Sequence, residues 1–333
     1  MARFLSDLSQ ISFQYESGLY ASQSGGSTFQ WLGQVQNHTL NDEGGVVGVR
    51  YATATDRNVD QFVDGPIDVT GRISYFPTDW KMLIFTLGSN VDGGSPSPYT
   101  HVVTEADSND GNAFTSGQLL PFMSFTLEDS QVVSTGSNFR RIVNGCIIDS
   151  FTVNSSQGGI VECNVDYVGQ SVQFASAAVG TVTAATTRPF LWSDIRVHIP
   201  SGTVVQTVRE VSATVDNNLD RPHYLNGSRE ISVPIPRERD YTVVLKLDGD
   251  TVLTKTFYDA YFKGGSTFNM LLQITDSGAG LGSRDMFWIM SGCKLIDMEA
   301  PTVSEGINEQ TLTINPRTTN VNISDQIQLY NPW

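Results

Sequence analysis

The residues able to do chemistry are few in this chain, and none stands in a working arrangement. The four histidines, His38, His101, His198 and His223, are scattered. No nucleophile elbow, zinc-protease helix motif, phosphate-binding loop or dinucleotide fingerprint accompanies them. Asp107-Ser108-Asn109-Asp110-Gly111-Asn112 has the composition of a calcium loop. Its glycine comes one residue early, however, and Gln118 stands where a bidentate glutamate should close the loop. Asp, Asn, Ser and Gly are turn formers, so a solvated turn is expected. Glu128 and Asp129 could be imagined as an acid and base pair, but at a strand end before a turn they read as surface charges. Cys146, Cys163 and Cys293 are odd in number and lack metal-ligand spacing, which predicts buried free thiols. No enzyme, cofactor or metal site is expected.

Composition points to strands instead. Apolar residues make up 39% of the 333, enough for real cores, and charged residues only 17%, below the roughly 25% of an average soluble domain. Ser, Thr, Asn, Gln and Gly fill the gap, a mixture suited to strands and turns. With 35 acids against 20 bases the net charge is -15. Such a surface repels phosphate and argues against ordinary nucleic-acid binding; scarce lysine with excess acid also fits a salty habitat. No apolar run approaches the length of a membrane helix, and MARFLSDLSQISF has no signal-type apolar core. A soluble chain made in the cytoplasm, without membrane contact, is expected.

The elements follow from periodicity and turn signals. Residues 1–28, ending in Ser24-Gly25-Gly26-Ser27, read as an arm outside the core. Strand-like runs lie at 29–36, 46–54 and 67–73, and Thr78-Asp79 can cap a two-turn helix over 80–87. The turn-rich stretch 89–118 reads as an exposed loop with room for a short strand at Thr100 to Glu105. Strands at 122–127, 140–153 and 160–172 close the first half. Small uncharged residues at 176–187 suit a linker, and strands recur at 195–199, 208–215, 231–235, 241–247, 268–275, 286–298 and 310–315. Trp31, Trp80, Trp192 and Trp288 sit at element starts and read as core or interface anchors.

The halves repeat one another. Asn58-Val59-Asp60, a Gly65, an alternating strand and Asp79-Trp80 match Asn218-Leu219-Asp220, Gly227, the strand at Ile231 and Asp240-Tyr241 at nearly equal spacing. Gly145-Cys146-Ile147 matches Gly292-Cys293-Lys294 at a smaller offset, the longer loop of the first half absorbing the difference. Colinear matches of this kind predict duplication.

Several segments together resemble the tail tube proteins of tailed bacterial and archaeal viruses: Trp31-Leu32-Gly33 leading to Arg57-Asn58-Val59; Gly65 to Ile73 followed by Asp79-Trp80 and Leu87-Gly88-Ser89; Tyr99-Thr100-His101 with Leu120-Pro121-Phe122 and Ser124 to Glu128; and Gly145 to Val153. The resemblance implies a mainly β fold of two tandem β-sandwich or barrel-like tube domains, each with a short helix, at 29–175 and 188–333. It implies a virion tail protein, assembled in the host cytoplasm, whose rings stack into a hollow tube for DNA ejection. Three duplicated chains would give each ring pseudo-hexameric symmetry. Implied partners are other copies of the chain, the tail terminator, tape measure and baseplate or tip proteins, with DNA passing without specific contact. Asp68, Arg72, Glu162 and Asp166, on alternating strands, are the candidates for an acidic lumen. Asp92, Tyr99, Asp107, Asp110 and Phe114, in the long polar loop, are the candidates for ring stacking. The alternative from a different class is a virion-decorating or cell-surface glycan-binding β-sandwich, which would show aromatic residues on an exposed face.

Overall fold

The computed structural model describes residues 10–16, 29–49, 61–94, 98–105, 125–132, 138–175, 182, 187–200, 202–232, 234–249, 255, 257–276, 284–299 and 309–325. The chain is mainly β. Strands β1 (Gln10–Tyr15), β2 (Gln30–Trp31), β3 (Gln34–Val49) and β4 (Gln61–Phe76) precede helix α1 (Met82–Leu87). There follow β5 (Gly88–Gly93), β6 (Tyr99–Glu105), β7 (Phe125–Val132), β8 (Asn138–Ser156), β9 (Glu162–Gly169) and β10 (Ser171–Ala175). The second half holds β11 (Ile195–His198), β12 (Val208–Asp216), β13 (Leu219–Asp220), β14 (Ile235–Pro236) and β15 (Asp240–Asp248). A π-helical turn (Phe257–Lys263) then leads to β16 (Phe268–Ile274), β17 (Asp285–Glu299), β18 (Glu309–Asn315) and β19 (Thr318–Asp325).

Two long strands of the core, β8 and β17, organise the rest. The first part of β8 pairs with β7 and β10, and its second part with β9 and β12. Likewise the first part of β17 pairs with β16 and β19, and its second part with β18. Each strand changes partners at a glycine of positive φ, Gly145 (65°) and Gly292 (63°), where a side chain would be strained. The buried cysteine that follows makes the same contact in both, its Sγ 3.5 Å from the carbonyl three residues back. Register shifts also recur, between Ile148 and Ser150 against β9 and between Leu295 and Asp297 against β18. Such bulges bend a strand and re-aim its side chains.

One antiparallel sheet therefore runs through both halves in the order β3, β4, β9, β8, β12, β15, β18, β17. Its inner face carries the core with period-two alternation: Val69, Ile73, Phe151, Val153, Val165, Ala213, Val215, Leu245 and Leu312 are all buried. A single hydrophobic cluster joins both halves and draws residues also from β1, β6, β7, β16 and β19. Gly71 is required because a Cβ there would lie 2.3 Å from the Tyr167 ring.

Four expectations need correction. Residues 10–15 are not part of a free arm: β1 pairs with β7 and buries Ile11, Phe13 and Tyr15, because an alternating apolar run pays off only inside a sheet. Residues 88–93, read as loop, form β5 and pair with β6, the short strand expected at Thr100 to Glu105, which itself pairs with β19 of the other half. Helix α1 starts later than expected, with Lys81 at its N-cap and no side-chain cap; Asp79 accepts the Lys81 N–H at 3.3 Å. Tyr241 lies on β15 whereas Trp80 lies before a helix, so those two are not counterparts. Asp60, all of 106–118 and most of 176–187 fall outside the described residues. Among the described residues, no helix is long and apolar enough to cross a membrane.

Candidate functional site

The outer face of the shared sheet is an organised polar surface. Its side chains follow from alternation: each residue beside a buried one on these strands points outward. In one rung, Thr39, Arg72, Asp166, Ser150 and Asp216 stand side by side across five strands. Asn154, Ser212, Val244, Thr313 and Asp297 form another.

Polar contacts knit the rungs. Arg72 Nε lies 2.8 Å from Asp166 Oδ1, and Arg72 also donates to Oδ2 at 3.0 Å. Ser150 donates to the same Oδ2 at 3.0 Å. Ser74 donates to Asn164. Thr152 and Thr214 hydroxyls meet at 3.0 Å across the joint of the two halves, and Lys246 pairs with Glu210 at 2.6 Å. The cations Arg72 and Lys246 are thus tied to carboxylates, while Glu43, Asp68, Glu162, Asp216, Asp297 and Glu299 add negative charge to the same face. An acidic recess at the joint is lined by Asp68, Asp149, Asp216 and Asp220 with Arg221 and Arg237. Burial pushes the Asp149 carboxyl up, and neighbouring Asp216 adds to this against a backbone hydrogen bond from Leu219.

The four residues expected at a lumen, Asp68, Arg72, Glu162 and Asp166, therefore share one face of one sheet, and two of them are partners. Of the residues expected to stack rings, Asp92 and Tyr99 lie on the two strands of the β5–β6 hairpin. Asp92 is held by His101, whose Nδ1 lies 2.6 Å away. Tyr99 pairs in register with Asp325. Asp107, Asp110 and Phe114 lie outside the described residues, as does the calcium-like loop. Among the described residues no group of His, Cys, Asp and Glu could hold a metal ion.

Two interior clusters had no signal in the sequence. His101 is buried, with Asp92 on one nitrogen and Asp325 3.2 Å from the other. Burial disfavours its charge, but the two carboxylates outweigh this and hold the imidazole above its ordinary pKa. Glu128 and Asp129 are buried within β7, not surface charges, and face Arg140 and Arg141 across the β7–β8 hairpin. Burial opposes the Asp129 charge; the His38 hydrogen bond and the Arg141 guanidinium prevail and hold its carboxyl below the usual range. These pairs span sequence separations that periodicity cannot read. The three thiols are buried and free, and burial pushes the Cys293 thiol up to about 11, which makes it a poor nucleophile. Trp80 and Trp288 are core residues, while Trp192 is exposed.

A family model described as phage tail tube protein matches residues 49–316, a span that takes in both halves and most of the shared sheet. No curated protein matches the chain.

Proposed function

Because the chain belongs to the phage tail tube protein family, a structural and non-enzymatic component of the virion tail, we propose that the outer face of its eight-strand sheet is the wall of the tail channel. Three chains close a ring, rings stack into a tube, and viral DNA leaves through it. The observation that carries this reading is the largely polar face crossing both halves of one chain, with carboxylates in excess and Arg72 and Lys246 each paired to one. Such a wall, with carboxylates in excess, repels phosphates, so DNA slides without being held.

The ring of three rests on duplication. Supporting it are the glycine switch points, the cysteine contacts and the register shifts, which recur at the offset separating Cys146 from Cys293. The tandem tube domains, 29–175 and 188–333, each supply four strands to the wall. The tail terminator, the tape measure and the baseplate or tip proteins are the partners at the tube's ends and interior.

Negative-stain microscopy of the purified protein tests the reading. Rings or tubes with an open axial channel are expected. A monomer under all assembly conditions, binding a glycan array through exposed aromatics, contradicts it.

A further inference from the structure

Inside one chain the two halves are stitched by β8 and β12, from Ser150 opposite Asp216 to Ser156 opposite Glu210. The repeated geometry assigns each of these strands a counterpart. β12 shifts register against β15 between Val208 and Glu210, as β3 does against β4 between Val35 and Asn37. Aligning those shifts sets Thr39 with Ser212, Leu40 with Ala213, Asn41 with Thr214 and Glu43 with Asp216. The shifts in β8 and β17 set Ser150 with Asp297, Phe151 with Met298 and Thr152 with Glu299. Yet β3 and the end of β17 are the two edges of the shared sheet: among the described residues, β3 pairs only with β4, and residues 294–299 only with β18. Open edges of this length are templates for another chain.

Burial says the same. Ala213 and Phe151 are fully buried beneath the inner joint, while their counterparts Leu40 and Met298 are only partly covered and pack against the core's margin. At the β17 shift Ile296 is 52% exposed, and β3 runs on past Glu43 to Val46, 61% exposed.

Resting on the tube reading, we propose that each chain joins the next by pairing β3 with the last residues of β17 in the register that β8 and β12 use within the chain. Asn41 of one copy then faces Glu299 of its neighbour, and Glu43 faces Asp297. The inner joint places Thr214 opposite Thr152 and Asp216 opposite Ser150, so the seam between chains differs from it in charge. Two carboxylates oppose one another there, an arrangement that disfavours pairing unless screened. Closure between chains is therefore salt-dependent, and the joint within the chain is not.

Paired cysteines read the register. Asn41→Cys with Glu299→Cys, in the full chain assembled at high salt and then oxidised, should give disulfide-linked multimers on a non-reducing gel. Asn37→Cys with Glu299→Cys, four residues out of register, should give few. Rings or tubes that form without linkage of the first pair, or that link both pairs equally, overturn the register while leaving the tube intact. If the double variant does not assemble, hydrogen exchange of the unmodified protein decides: amides of 38–43 and 295–299 should gain protection on assembly, and unchanged exchange there in intact tubes overturns the proposal. A chain that never leaves the monomer overturns the tube reading itself.

Discussion

The inner joint between β8 and β12 and the open edges β3 and β17 are built on the same backbone plan but dressed differently. Beneath the joint, Phe151, Val153, Ala213 and Val215 are fully buried, and a threonine pair closes the outer face. At the edges, Leu40 and Met298 are half covered, Asp42 stands where Val215 stands in the joint, and acids line the rim. A permanent contact carries large apolar side chains because nothing must separate it. An edge that has to stay unpaired until assembly carries charge, which blunts unwanted pairing. On the proposed pairing, the same strand plan serves one contact made at folding and another made later.

The contrast is broken most severely in the core. Phe151→Ala should cost about 3–5 kcal/mol of monomer stability, whereas Met298→Ala at the equivalent place should cost about 1 kcal/mol or less while weakening assembly. Denaturant titration of the unassembled chain measures the first, and light scattering of assembly the second. Equal losses of monomer stability would erase the distinction between joint and edge.

The hairpin that ties the halves on the opposite side depends on His101. Its raised pKa means that the charged imidazole stabilises the fold fully below its unfolded value, and that this support is lost as pH rises through the folded value. Stability of the monomer should therefore fall as pH rises above the ordinary histidine range. His101→Gln should lower stability by about 1–3 kcal/mol at the acid end, where a buried carboxylate loses its partner, and flatten that slope. An unchanged pH slope in the variant would remove His101 as its source.

Salt sharpens the comparison further. Raising ionic strength from about 0.1 to about 1 M shortens the screening length from roughly 10 to 3 Å, and ring formation should rise with it. Glu43→Gln should move the midpoint to lower salt by removing one of two opposed carboxylates. Monomer stability of that variant should hardly change. The smallest effect on architecture is expected on the outer face of the shared sheet, the proposed channel wall. Arg72 and Asp166 are partly exposed, so breaking the pair costs about 0.2–1 kcal/mol, and Glu162→Lys with Asp166→Lys should still give tubes. DNA passage through them should slow most at low ionic strength, and ejection kinetics from a virus carrying both changes would show it.

Much of this was legible in the sequence. Alternation placed Asp68, Arg72, Glu162 and Asp166 on strands with their apolar neighbours inward, and the structure adds that Arg72 and Asp166 are side by side. The Gly-Cys repeat pointed to two strands that share a switch of partners. What failed was long-range pairing. Nothing near Gln10–Tyr15 announces that β7 will cover it, and nothing near His101 announces Asp325. The turn-forming composition of 88–93 hid strand β5, while the strand expected at Thr100 to Glu105 is present as its partner β6. Glu128 and Asp129 looked like surface acids because their arginine partners lie across a hairpin.

The central claim is that the polar face of the shared sheet lines the channel in rings of three. A helical reconstruction of assembled tubes by electron cryo-microscopy tests it most directly. The account predicts three chains per ring, with the Arg72–Asp166 pair and the Thr152–Thr214 contact on the channel wall. Six chains per ring, or that pair on the tube's outer surface, would contradict it.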